Sequence, residues 1–282
     1  MPFQIRSLRF VHGGIQFIEF DEDIVCSLVG LSAFSLSYGP GVDHHVETMS
    51  VSIKVTPVGT RQLFVEAIPV LSDDSGNRQG DGSYVCVSVL AWVGEAPSVG
   101  SVSMPPPITL NNSESVDLDE YPRIAALSGF DLSYGDSDHH LLGADATVFP
   151  SGSAILAMAQ MADGDGNFAS TAEISAVVME YIGSSDLIVI KSVSLDDEGP
   201  QTIDMGVPLA QVGVFMSGFK ATYSGTNHAV QTFGAGPNIF AIDHKNRTRV
   251  NTSGIWSFVW DDSGNQGHGP CDLLIVGIPA SD

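Results

Sequence analysis

One ten-residue phrase recurs in this chain, and its recurrence narrows the fold more than any other feature. "GLSAFSLSYG" ends at Gly39, "ALSGFDLSYG" at Gly135 and the slightly longer "FMSGFKATYSG" at Gly225. Phe34, Phe130 and Phe219 correspond, as do Tyr38, Tyr134 and Tyr223. The first two copies run on into Asp43-His44-His45 and Asp138-His139-His140, whereas the third keeps only Asn227-His228. Each copy then reaches an acidic turn, "SDDSGN" at Asp73, "ADGDGN" at Asp163 and "WDDSGN" at Asp261, and closes on an apolar segment: "YVCVSVLAWVG", "EISAVVMEYIG" and "CDLLIVGIP". Elements recurring in one order at roughly ninety to a hundred residues mark tandem copies of one unit. The expected boundaries are 1–97, 98–184 and 185–282. "EAPSVGSVSMPPPITL" reads as a stiff connector at the first of them, and a docking motif for an aromatic groove is the other reading of its prolines.

Within each unit the pattern has period two. "FSLSY", "MSVSIKV", "LFVEAIPVL" and "VCVSVL" alternate apolar and small polar residues, as strands with one buried face do. "GSAILAMAQMADG" has helix-forming composition, but it stands where the first copy has "RQLFVEAIPVLSDD", and the repeat assigns it as strand. Short strands with Gly-rich turns in units of this length predict an all-β chain of three tandem antiparallel β-sandwich modules, with pseudo-threefold symmetry as one arrangement open to them. A β-trefoil also has three repeats, but its units are about half as long.

The charge balance excludes some partners. Thirty-three acidic against eleven basic residues give a net charge of −22, which repels nucleic acid and anionic membrane surfaces. Charged residues make up only 16% of the chain, against about 25% in an average soluble domain, so apolar surface is left for other subunits to cover. The opening "MPFQIRSLRFVHGGIQFIEF" lacks the apolar core of a signal peptide, and no long apolar run predicts membrane insertion. Cytoplasmic synthesis is expected, with action in a virion or outside the cell still open. Cys26, Cys86 and Cys271, far apart and odd in number, read as buried free thiols.

The first module, "FIEFDEDIVCSLVGLSAFSLSYG", then "VSIKV", "LFVEAIPVLSDDSGN" and "VSVLAWVG", resembles the H-type lectin domain, and "EYPRIAALSGFDLSYG" opens the second in the same way. The nearest match to that family's closure is "VLAWVG", with Ala91, Trp92 and Gly94 in altered order. The resemblance implies a small antiparallel sandwich that associates in threes and binds sugar in the clefts between neighbours. The family's binding tryptophan and polar residues have no one-to-one match here.

Two recurrent features carry candidate chemistry. Asp-His-His supplies three potential metal ligands, but neighbouring strand residues face opposite ways, so His44 and His45 can share an ion only in a loop. The competing reading is a turn in which Asp43 or Asp138 accepts from backbone amides and one histidine packs at the next strand. The acidic turns suit calcium in composition, with Asp163, Asp165 and Asn167 alternating as in a calcium loop and Asp73 and Asp261 at matching places. Gly166 precedes the third ligand and no closing glutamate follows, so a plain hairpin turn competes with calcium binding. For ligand contact, Trp260 leads, ahead of Trp92, His45 and His140, and Trp256 is a further aromatic able to stack on sugar. No GxSxG elbow, P-loop or nucleotide-binding glycine motif is present. These features favour a non-enzymatic binding or adhesion protein that takes glycans or other protein subunits. A structural component of a larger assembly, such as a virion decoration or fibre protein, is the alternative, with a homo-oligomer as one form of it. A metal-dependent hydrolase using His44, His45, His139 and His140 is a third reading.

Overall fold

The structure, a computed structural model, describes residues 2–97, 102–118, 122–135, 137–181, 187–237 and 239–281. The expected boundaries at 97/98 and 184/185, and part of the proline-rich connector, lie outside the described residues. The first third carries β1 (Phe3–Val11), β2 (Gly14–Glu19), β3 (Ile24–Ser37), β4 (Thr48–Val58), β5 (Gln62–Ser72) and β6 (Tyr84–Val93). The middle third carries β7 (Val102–Ser103), β8 (Ile108–Asn111), β9 (Ser115–Asp117), β10 (Pro122–Ser133), β11 (Gly143–Ser151), β12 (Ala154–Ala162) and β13 (Thr171–Tyr181). The last carries β14 (Val189–Leu195), β15 (Gln201–Asp204), β16 (Leu209–Tyr223), β17 (Thr232–Ala235), β18 (Phe240–Ile242), β19 (Arg249–Thr252), β20 (Ser257–Trp260), β21 (Gln266–Gly269) and β22 (Cys271–Pro279). Among the described residues every element is a strand and every named pairing is antiparallel, so the all-β expectation holds.

Alternation is the local cause. From Gln62 to Leu71 in β5 burial switches at every residue, and β12 does the same along its whole length despite its alanines and methionines. Ile155, Ala157, Ala159 and Met161 all point inward, at 1% exposure or less. A helix would spread these residues around its circumference, whereas a strand puts all of them on one buried face.

The same pairings appear in each third. The strand carrying the aromatic phrase (β3, β10, β16) pairs with the closing strand (β6, β13, β22). The far edge of that closing strand takes β1, β8 or β14. The following strand folds back as β4–β5, β11–β12 and β17–β20. Strands β3 and β10 also pack face to face onto the hairpins of their own thirds, giving the layered character of a sandwich. Ladders then join the thirds: β4 to β10, β11 to β16, and β17 to β3. Each third is thus hydrogen-bonded to both others, and sheets of twelve and seven strands run across all these seams.

The phrase itself contains a device that its letters do not announce. Its register with the closing strand slips between Leu31 and Ala33, between Leu127 and Gly129, and between Met216 and Gly218. Ser32, Ser128 and Ser217 are the extra residues, so the shared serine is a β-bulge that bends the long strand. The residue after the bulge must be small: a Cβ on Gly129 would lie 2.5 Å from the Val51 carbonyl oxygen across the seam.

Bending the three strands brings the following phenylalanines together. The ring centroids of Phe34, Phe130 and Phe219 lie 5.0, 5.1 and 4.9 Å apart pairwise. All three are buried and belong to one apolar cluster with contributions from every third. A second buried cluster, containing Phe3, Trp92, Tyr181 and Phe215, is likewise shared by all three.

Candidate functional site

Beyond each buried phenylalanine the strand reaches a tyrosine, then a loop, then the histidines, and there the two recurrent motifs meet. His44 Nδ1 lies 3.2 Å from Asp73 Oδ2, His139 Nδ1 2.9 Å from Asp163 Oδ2, and His228 Nδ1 3.3 Å from Asp261 Oδ2. Each imidazole also packs on the tyrosine of its own third, with ring centroids 4.8, 4.5 and 4.8 Å apart. The Tyr38 hydroxyl donates to the His45 carbonyl and that of Tyr223 to the Ala229 carbonyl, both at 3.1 Å, while the buried Tyr134 hydroxyl has no partner among the described residues.

The acidic turns are closed by their own side chains. Asn77, Asn167 and Asn265 donate backbone N–H groups to Oδ1 of Asp73, Asp163 and Asp261 at 2.8, 2.8 and 2.7 Å. Their side-chain amides donate to Oδ2 at 2.5, 2.5 and 2.6 Å. Burial by itself would raise these carboxyls, but the amide and imidazole donors outweigh it and hold all three below the usual carboxylate range.

This arrangement bears on the calcium expectation at Asp163, Asp165 and Asn167. Asp163 Oδ1 accepts from the N–H groups of Asp165 and Asn167, and Oδ2 from Asn167 Nδ2 and His139 Nδ1. Four donors thus occupy the roughly four lone-pair positions of the Asp163 carboxylate. Asp73 and Asp261 are engaged in the same way, and Asp165 and Asn167 serve the turn through their amides. Among the described residues no group of three His, Cys, Asp or Glu side chains is arranged to hold a metal.

The second histidines face elsewhere. His45 and His140, from different thirds, meet edge to face at 4.1 Å, and His45 Nδ1 lies 3.2 Å from Asp138. Burial, followed by the neighbouring His45 and His228, pushes His140 below the ordinary imidazole value. Ala229 takes this place in the last third. Between the two sets of histidines the backbones pair across every seam: His44 with Val230, Val46 with His139, and Leu141 with His228. Val46, Leu141 and Val230 are fully buried beneath them. Asp138 therefore serves a histidine of another third instead of a backbone amide, while Asp43 accepts from the Asp262 N–H at 3.4 Å.

The aromatic candidates separate. Trp92 is buried edge-on against Phe3, and its indole N–H donates to the Glu95 carbonyl at 2.7 Å, so it packs in the core. Trp260 is half-buried and forms a row with Phe258 and Trp256, with neighbouring centroids 4.9 Å apart. The chain matches no known family model and no curated protein.

The seams also carry grooves. Between the middle and last thirds, a groove of about 440 Å³ is lined by Arg123, Thr147, Phe149, Ser192, Ser194 and Asp272, among others. At the seam between the first and last thirds a second, of about 420 Å³, includes Arg9, Ser32, Cys86 and Phe240. A smaller one of about 210 Å³ lies between the first two thirds, with Ser50, Ser52, Asp131 and Glu173 on its walls. None of the predicted site residues lines these grooves. Arg123 and Asp272 reach one groove only through the folding of the middle and last thirds together, so no local motif marks it. The His–Asp pairing did leave a signal in the sequence: the histidine retained in all three copies is the one that holds the acidic turn.

Proposed function

We propose that this chain is a binding protein made of three related β-sandwich units, which takes glycans in the grooves where the units meet. The groove between the middle and last thirds carries the reading. It combines an aromatic wall at Phe149, hydroxyls of Thr147, Ser192 and Ser194, and charged groups at Arg123 and Asp272. A sugar ring presents an apolar face and a rim of hydroxyls, and few other ligands need that mixture. The H-type lectin resemblance supports the same place, since it implies sugar bound between neighbours. The test is a glycan array with and without calcium, followed by titration of any hit against Arg123→Ala. Calcium-independent binding that weakens at least tenfold in the variant is expected, and an array without any hit refutes the proposal.

The alternative, a component of a larger assembly, is favoured by one observation. Val11, Ile15 and Phe17 are 62, 61 and 61% exposed at the end of β1 and along β2, where β2 is an outer strand of its sheet and Phe17 lies tilted against Phe64 with ring centroids 3.9 Å apart. Light scattering tests it: concentration-dependent growth in mass that Phe17→Ser abolishes supports self-assembly, and a monomer at every concentration removes it.

A further inference from the structure

We propose that Ser137, His139 and Asp163 form an acyl-transfer triad, a hydrolytic function separate from glycan binding. Ser137 Oγ lies 3.1 Å from His139 Nε2, and His139 Nδ1 lies 2.9 Å from Asp163 Oδ2. Ionised Asp163 can only accept, so Nδ1 carries the proton and Nε2 presents its lone pair to the serine hydroxyl. That is the nucleophile–base–orienter order by which such triads are recognised, whatever their sequence positions. The orienting carboxylate is buried and held by the Asp165 and Asn167 amides, the imidazole is clamped against Tyr134, and Ser137 is exposed. Base and carboxylate are therefore fixed while the nucleophile is open to solvent.

The other two thirds act as internal comparisons. Thr226 Oγ1 lies 3.1 Å from His228 Nε2, which repeats the relay toward Asp261 with a bulkier secondary alcohol. The first third has Val42 two residues before His44 and so lacks a hydroxyl in that place. The imidazole–carboxylate pair is thus a shared part of the architecture, and the hydroxyl is an addition to two copies of it.

The reaction balances without a cofactor. Ser137 Oγ bonds to the carbonyl carbon of an ester while its proton passes to Nε2. The carbon–alkoxide bond breaks, and the departing alkoxide takes that proton. Water, giving its proton to the same nitrogen, then attacks the acyl carbon; the acyl–Oγ bond breaks, Nε2 returns the proton to Ser137 Oγ, and the carboxylic acid leaves. Asp138, Asp163 and Asp165 around the site disfavour anions, so neutral and cationic esters are the substrate class.

The test is a fluorophosphonate probe on the full chain, in which an Oγ–P bond forms as fluoride leaves, with the adduct mapped by peptide mass spectrometry. Expected is an adduct on Ser137 that disappears in Ser137→Ala and forms about 100-fold more slowly in His139→Gln. Thr226 should label more slowly still. No adduct on Ser137, or equal labelling in a His139→Gln variant that melts like the parent, overturns the proposal. If that variant fails to fold, acid takes its place: reversible suppression of labelling in the parent is required, and labelling unchanged by acid is refutation. Glycan binding by Ser137→Ala, whose substitution lies outside the seam groove, reads the two functions separately.

Discussion

Truncating one member of the phenylalanine triad, Phe34→Ala, tests whether the three thirds are energetically one body. Phe34 is fully buried, with centroids 5.0, 5.1 and 6.1 Å from Phe130, Phe219 and Phe233. Removing the ring forfeits about 2–3 kcal/mol of transfer free energy. The aromatic pairs add about 0.5–1.5 kcal/mol each, and part of the cavity stays open because bulged strands from all three thirds frame it. Allowing for overlap between these contributions, the loss is about 4 kcal/mol, within the usual range for Phe→Ala. For a chain of this size it lowers Tm by roughly 8–16 °C. Denaturant unfolding of Phe34→Ala, Phe219→Ala and the double variant, followed by tryptophan fluorescence and circular dichroism, measures it. Because the two rings touch across a seam, the double variant should fall short of the sum by at least about 0.5 kcal/mol. A single-variant loss below about 1.5 kcal/mol, or additivity within about 0.3 kcal/mol, refutes the shared-core reasoning.

Two further predictions concern pH. Asp73, Asp163 and Asp261 are depressed in the fold, so their contribution is present above the ordinary carboxyl value of about 3.9 and is lost as pH falls through the lower folded values. Asn167→Ala removes the side-chain amide donor to Asp163 Oδ2 and keeps the backbone N–H donor to Oδ1, so it should cost about 1–3 kcal/mol at neutral pH and raise the acid-unfolding midpoint; coincident acid transitions for parent and variant would count against the turn. His140 is also lowered, chiefly by burial, with His45 and His228 further disfavouring its cation and Asp138 and Asp165 favouring it. The unfolded chain therefore gains a proton that the folded chain resists, and stability should decline below about pH 6.5. His140→Gln should flatten that decline in thermal melts between pH 8 and 5, and an unchanged slope would show that the imidazole contact carries none of it.

The sequence alone determined the strand character, the recurrent phrase and the inward set of side chains, because alternation is a local property that burial on one face enforces. It also placed Phe34, Phe130 and Phe219 in corresponding positions and put the tyrosines on their parity. The burial of Trp92 against Phe3 and the engagement of Asp163 by His139 were not legible in composition, because both depend on neighbours from other strands. The structure decided that the shared serine is a bulge, that His44, His139 and His228 belong to the acidic turns, and that strands pair across every seam. Those facts join residues some 25 to 200 positions apart. Closure entropy and packing select such contacts from many that the local pattern equally allows, and only the folded chain expresses the choice.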